Sequence, residues 1–202
     1  MSHYFDPAPA TAHREASVVL TLPDGAITLG TDRGVFAASA VDPGTKYLLL
    51  EGPRPDPASA GPLLDMGCGY GAIALTLARR APNSIVYAID INERARGLCA
   101  RNAAALGLAN VIVRSPDEID PDLRFAGIWS NPPIRIGKEQ LHGLLQRWCG
   151  RLQRGAHASL VVQRHLGSDS LAAWLTTEGY TVTRLGSRRA YRLLDVCCEG
   201  GS

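Results

Sequence analysis

Two short segments hold the residue types and spacings from which chemistry could be built. In Leu63-Leu64-Asp65-Met66-Gly67-Cys68-Gly69-Tyr70-Gly71, glycines at every second position follow an apolar pair and an aspartate. Glycines are needed where a chain turns from strand to helix with its backbone against a ligand, because a Cβ would collide. The spacing is not G-x-G-x-x-G, which seats a pyrophosphate on a helix N-terminus, and it lacks the Lys-Ser/Thr of a phosphate-binding loop. An acidic residue just ahead of the glycines repels phosphate and suits a cationic amino-acid tail. The second segment, Trp129-Ser130-Asn131-Pro132-Pro133-Ile134, ends an apolar run. There an Asn side-chain carbonyl and the following backbone carbonyl can both accept hydrogen bonds from one NH2 group. Two prolines stiffen the loop and fix the direction of those carbonyls.

The glycine turn favours S-adenosylmethionine over NAD or ATP, with Asp65, Gly67, Cys68, Gly69 and Gly71 as cofactor-binding candidates. Asp90 closes the next apolar run and can accept from both ribose hydroxyls. Ile91 beside it joins the set, and Asn92 could support that loop. After the third run, Pro116-Asp117-Glu118 places a polar side chain where an adenine amine could meet it; Asp117 is the candidate, with Glu118 equally close. Cys68 could be a nucleophile, but no partnered base stands near it in sequence, and a small buried side chain is the better reading. Asn131, Pro132, Pro133 and Ile134 form the catalytic set. The grip presents a nitrogen lone pair to the sulfonium methyl and stabilises the positive charge that develops on nitrogen, which needs no strong base. Asn-Pro alone is a common turn; its place after a fourth strand, downstream of a cofactor loop, gives it weight. Ile134 would pack on the target ring. Arg135 and Lys138 are candidate phosphate or base contacts, and His142 is a candidate substrate contact or a helix-surface residue.

These residues need a scaffold of alternating strands and helices. The strand ending at Asp65 feeds a helix from about Ala72 to Arg80, followed by a strand over Ser84 to Ile89 and a helix over Glu93 to Leu106. Short strands follow at Asn110 to Arg114 and Phe125 to Ser130, then a helix from Glu139 to Leu152 closed by Gly155. Ser159 to Gln163 reads as a strand and Ser170 to Glu178 as a helix. The closing pair, Tyr180 to Leu185 and Arg192 to Val196, is too close in sequence for a crossover and predicts an antiparallel hairpin turning at Gly186-Ser187. Such alternation implies α/β architecture, a mostly parallel sheet covered on both faces. Ahead of it, two β-rich runs split by Asp24-Gly25 and a turn at Asp42-Pro43-Gly44-Thr45 suggest a small antiparallel extension or lid. The expected division is residues 1–50 for that extension, 51–62 for a Pro/Gly-rich linker, and 63–202 for the main domain.

The chain has 202 residues, 46% hydrophobic and 20% charged, and a formal net charge of +2. That length suits one domain of ordinary size. The charge neither announces nor excludes a nucleic-acid partner. Arg79-Arg80, Arg147 to Arg154 and Arg184 to Arg192 are candidate basic surfaces, each of which could equally be a solvated edge. Five cysteines without zinc-ligand spacing give no metal site. Their odd number and the absence of a secretory apolar segment imply a reduced, cytoplasmic protein, and no run is long enough for a membrane helix. The oligomeric state is not legible.

With these residues in view, the chain resembles the small-domain class I methyltransferases that form N2-methylguanosine in ribosomal RNA, the small-subunit rRNA guanine-N2 group. The resemblance runs from His3-Tyr4-Phe5 through Thr31-Asp32-Arg33-Gly34-Val35-Phe36, Asp42-Pro43-Gly44-Thr45 and the glycine turn to Ser130-Asn131-Pro132-Pro133-Ile134-Arg135-Ile136-Gly137-Lys138. It implies a Rossmann-like seven-stranded sheet with a reversed terminal strand, S-adenosylmethionine as donor, and the N2 amine of a guanine in RNA, ribosomal RNA or a ribosomal particle, as acceptor. Asn131 and Pro132 match the family's catalytic positions, Asp90 its ribose acid, and Gly67 and Gly69 its cofactor turn. Longer members carry two methyltransferase-like domains against one here, and the usual Phe is replaced by Ile134. The rival readings are an N-methyltransferase acting on a protein amide or a small molecule, and a degenerate domain that only binds RNA. If RNA is the acceptor, the guanine must be unpaired or flipped out, and Arg147, Arg151 and Arg154 could contact its phosphates.

Overall fold

A computed structural model describes residues 15–32, 37, 39–133 and 136–198. Its centre is a seven-stranded sheet. The strands are β3 (Leu63–Met66), β4 (Val86–Ile89), β5 (Val111–Arg114), β6 (Phe125–Ser130), β7 (Leu152–Gln163), β8 (Thr181–Arg188) and β9 (Tyr191–Cys197), in the order β5-β4-β3-β6-β7-β9-β8. The first five pair in parallel, and β9 runs antiparallel to both neighbours. This is the expected mostly parallel sheet with a reversed terminal strand. Helices α2 (Ala72–Arg80), α3 (Glu93–Ala105), α4 (Lys138–Cys149) and α5 (Ser168–Thr177) make the crossovers. Parallel strands need such connections, and strands covered on both faces become continuous apolar runs. All four residues of β3 are buried. Two buried clusters fill the two faces, one containing Leu63, Ile73, Leu77 and Leu98, the other Leu64, Ile128, Leu145 and Trp148.

The N-terminal hairpin pairs β1 (Glu15–Leu22) with β2 (Gly25–Asp32). Val18, Leu20, Ile27 and Leu29 face inward and belong to the same buried cluster as α2 and α3. Asn102, on α3, fixes it: Oδ1 accepts from Gly30 N at 2.8 Å, and Nδ2 donates to Gly30 O and to Tyr70 O, each at 2.9 Å. One side chain thus joins the hairpin to the glycine turn. Arg80 adds a two-pronged pair with Asp24, at 2.6 and 3.0 Å.

Three local expectations are corrected. Asp42 to Thr45 opens a helix, α1 (Pro43–Glu51), with Asp42 as N-cap accepting from Thr45 N at 2.9 Å and Pro43 in the first turn. Helix α4 stops at Cys149, capped by Gly150, and β7 already starts at Leu152. Its first residue pairs with Phe125, and a register shift precedes the His157–Gly127 pairing. The terminal hairpin turns at Arg189-Ala190, not Gly186-Ser187. Gly186 lies within β8 opposite Leu193, just past a register shift, and a Cβ there would stand 2.7 Å from the Tyr47 hydroxyl. The Pro-rich stretch after α1 is fastened to the sheet: Trp129 Nε1 donates to Pro53 O at 2.9 Å, and Ala126 N to Pro62 O at 2.8 Å.

Candidate active site

The carboxyl ends of β3, β4 and β6 bring the two motifs together, as expected where strand ends of an open α/β sheet diverge. Ser130 Oγ donates to Met66 O at 2.6 Å, so the strand carrying Asn131 is locked to the strand carrying the glycine turn. Gly67, Gly69 and Gly71 all have positive φ (80°, 54° and 98°). A Cβ at Gly67 or Gly69 would meet nothing within 4 Å, whereas one at Gly71 would lie 2.8 Å from Cys99 Sγ. The first two glycines therefore line open space, and the third packs inward against α3.

Asp65 is wholly buried under the turn. Its Oδ2 accepts from Ala74 N at 2.8 Å, and Oδ1 has no hydrogen-bond partner among the described residues. Burial pushes its carboxyl up to about 8, the Ala74 bond opposing and the charge of Asp90 adding to the rise. Asp90 takes Gly69 N on Oδ2 and Asn92 N on Oδ1, both at 2.9 Å. Burial raises its carboxyl too, against those backbone donors and Arg96. Arg96 Nη1 holds the carbonyls of Asp90 and Ile91 at 2.8 and 2.9 Å, and Asn92 caps α3 through Arg94 N and Ala95 N. With backbone donors from Gly69, Asn92 and Ile91 on it, the Asp90 carboxylate still keeps lone-pair capacity for a hydroxyl. The orphaned buried oxygen of Asp65 and the open side of Gly67 and Gly69 beside Asp90 fit a polar, ribose-bearing ligand.

Cys68 is buried, with Sγ 3.6 Å from Gly69 O. Its hydrogen bond with the Cys99 thiol, and then burial, hold its thiol well above the ordinary value, which suits packing and not nucleophilic attack. Asp117 sits in a 3-10 turn after β5, its side chain 88% exposed and paired with Arg147 at 3.0 Å. Glu118 closes that turn onto Ser115 N at 2.7 Å. Both are occupied by local partners.

Asn131 is half-buried. Its Nδ2 donates to Asp42 Oδ2 at 2.8 Å and to Thr45 Oγ1 at 3.0 Å. With both amide hydrogens engaged, the orientation of the group is fixed, and Oδ1 is presented without an intramolecular donor among the described residues. Pro132 is buried, and the Pro133 carbonyl takes Ile136 N at 3.1 Å, which closes the loop. Ile134 and Arg135 lie outside the described residues, as do His3-Tyr4-Phe5 and Arg33 to Phe36. Lys138 is exposed at the start of α4. His142 stacks on Trp174 with ring centroids 3.5 Å apart and planes 13° from parallel, a packing role. Arg151 lies over the Trp148 ring, and Arg151 and Arg154 flank the start of β7, at the opposite end of the sheet from Asn131. Sequence spacing missed Asp42 and Thr45, because their contact with Asn131 spans more than eighty positions. The signal available was an N-cap pattern, Asp-Pro-x-Thr.

Among the described residues no group of three or more His, Cys, Asp or Glu side chains could hold a metal, and no helix is long and apolar enough to cross a membrane. The family model described as methyltransferase small domain matches residues 26–195. The uncharacterized protein YbxB of Bacillus subtilis is 33% identical over 171 residues, which cover 83% of this chain and 84% of that protein. Ribosomal RNA small subunit methyltransferase C of Shewanella oneidensis is 35% identical over 159 residues, 76% of this chain but 45% of that enzyme. The chain thus spans about half the length of such enzymes. Among solved structures, the Thermus thermophilus 16S rRNA N2 G1207 methyltransferase, in complex with AdoMet and guanosine, superposes with a TM-score of 0.73 at 23% identity. The match covers 93% of this chain and 51% of that one. A ribosomal protein L11 methylase from Lactobacillus delbrueckii gives a TM-score of 0.60 at 18% identity, over 70% of this chain and 72% of that one. These structural likenesses establish the fold.

Proposed function

The chain belongs to the methyltransferase small-domain family, and from that premise we propose that it moves a methyl group from S-adenosylmethionine to the N2 amine of an unpaired guanine in ribosomal RNA. The observation that carries this reading is the fixed amide of Asn131. Because Asp42 and Thr45 take its NH2 group, only its carbonyl oxygen is offered to an incoming ligand, and a carbonyl selects an N–H donor. The Pro132 carbonyl supplies the second acceptor. Together they grip a planar amine through both hydrogens and leave its lone pair directed outward.

S-adenosylmethionine, when bound, supplies a methyl on a positively charged sulfur. Gly67 and Gly69 would pass their backbone against it, Asp90 and Ile91 would receive its ribose, and Asp65 with Gly71 and Cys68 would shape the floor of the turn. Asp117 would reach the adenine only by leaving Arg147. As charge grows on the acceptor nitrogen, the Asn131 carbonyl strengthens its hold, since the Asp42 carboxylate behind it polarises the amide. The surplus proton leaves to solvent, so no side chain of strong basicity is needed. Lys138, exposed at the start of α4, would serve as a phosphate contact, while His142 stacks on Trp174.

The test is transfer of labelled methyl from S-adenosylmethionine to total RNA, followed by nucleoside analysis, with Asn131→Ala as control. N2-methylguanosine formed by the wild type and not by the variant is the expected result. Label appearing in protein amides or small molecules instead would replace the RNA reading. Cofactor binding without transfer to any acceptor would favour a binding domain.

A further inference from the structure

The basic stretch at the end of the chain is placed by the fold beside the site. β9 lies next to β7, which lies next to β6, so two strand spacings, about 10 Å, separate β9 from the strand that delivers Asn131. Ser130 pairs with Leu160 and Gln163 with Tyr191, so the β8–β9 turn projects beyond the same carboxyl edge as Asn131. Arg164 N donates to Ala190 O at 2.7 Å, which binds the segment after β7 to that turn. Arg164, His165, Arg188 and Arg189 are all exposed there. Arg188 meets Glu51 at 3.6 Å, while Arg164 and Arg189 form no ion pair among the described residues. The surface is continuous with the site. Tyr191 packs so closely on Gly44 that a Cβ would stand 2.5 Å from its ring, and Gly44 is two positions from Asp42, the partner of Asn131.

The turn carries a second, independent sign of use. Arg189 has φ 53°, a left-handed conformation. Two-residue hairpin links favour Asn or Gly in that conformation, where the backbone strain is least. An arginine there is a conformational disadvantage that presents a charge. Arg147, Arg151 and Arg154, the alternatives in sequence, are held by Asp117, by Trp148, or at the far end of β7.

We propose that Arg164, Arg188 and Arg189 form the edge that takes backbone phosphates of the RNA strand flanking the methylated nucleotide. The proposal rests on the RNA reading above. Its test is Arg189→Gly, alone and with Arg164→Ala, read by thermal stability, cofactor affinity, KM for RNA and the salt dependence of RNA binding. Glycine relaxes the turn, so the single variant should melt no lower than the wild type. Cofactor affinity and kcat should stay unchanged, while KM for RNA rises roughly 3- to 10-fold per arginine. The slope of log K against log salt should fall by about 0.7 for each phosphate no longer neutralised. Wild-type RNA affinity and salt slope in the double variant, with the parent protein methylating RNA normally, would overturn this proposal and leave the function standing. A parent protein that neither binds nor methylates RNA would overturn both.

Discussion

Replacing Asp42 with serine separates two tasks that one carboxylate oxygen performs. Oδ2 of Asp42 caps α1 through Thr45 N and holds the amide of Asn131. Serine is as good an N-cap as aspartate, so the helix should lose at most a few tenths of a kcal/mol. Its shorter side chain cannot also reach Asn131. A hydrogen bond to a charged group is worth about 1.5–3 kcal/mol, and the Thr45 hydroxyl at 3.0 Å remains to hold part of the amide. If the full bond acts on the transition state, kcat falls by about 10- to 150-fold; the surviving Thr45 bond places the expectation near the lower end. Asp42→Asn, which keeps an acceptor and the cap, should fall between the two proteins. The assay is steady-state methyl transfer with cofactor affinity and melting temperature measured alongside. A lowered kcat with unchanged cofactor affinity and melting is the expected pattern. Wild-type kcat in Asp42→Ser would refute the claim that Asp42 orients Asn131, and a loss that merely tracks melting would reduce it to a fold effect.

Other perturbations test the cofactor half. Asp65 is raised from 3.8 to about 8 in the folded state. Its contribution to stability is therefore fully present below pH 4 and declines as pH rises to about 8, because the folded protein holds a proton that the unfolded chain has released. The melting temperature of the cofactor-free wild type should fall with pH across that window more steeply than that of Asp65→Asn; parallel profiles would sink the assignment. Gly69→Ala should cost about 1–2 kcal/mol from its positive φ and weaken cofactor binding more than stability. Gly71→Ala adds a clash with Cys99 Sγ and should destabilise further, so chemical denaturation of both variants must rank them in that order. Asn102→Ala leaves the buried bonds to Gly30 and Tyr70 unmade and should cost on the order of 2–4 kcal/mol; hydrogen exchange should show the loss concentrated in β1 and β2.

Local signals were legible where they agreed with the tertiary environment. Ala72–Arg80 and Phe125–Ser130 have the bounds that glycine punctuation and apolar runs predict. Asp42-Pro43-Gly44-Thr45 reads as a turn but opens a helix, because the same residue types begin both. Tyr47, Leu48 and Leu49, consecutive and all buried, lack the periodicity that would have decided it. Leu152 to His157 has no strand alternation, since a register shift interrupts its pairing with β6. Gly186 carries a turn signal in sequence but sits inside a strand, because the need for glycine there comes from another element, Tyr47. In the site, the glycines, Asp65, Asp90 and Asn131 announce themselves by local spacing. Asp42 and the Trp174 that captures His142 do not, because contacts across distant segments leave no spacing to read.

The Asn102 bridge also sets an order of assembly. The hairpin is made early, but the side chain that mates with both backbone groups of Gly30 lies 72 residues downstream. A lone two-stranded hairpin is marginal in water. At about 5–20 residues per second, its partner arrives roughly 4 to 14 seconds later. During that interval Val18, Leu20 and Leu29 have no core to enter, and Gly30 offers an unpaired edge to any neighbouring chain. The same bridge that joins the hairpin to the glycine turn thus makes β1 and β2 late to fold, and the nascent chain is most exposed to misassociation before α3 has been synthesised.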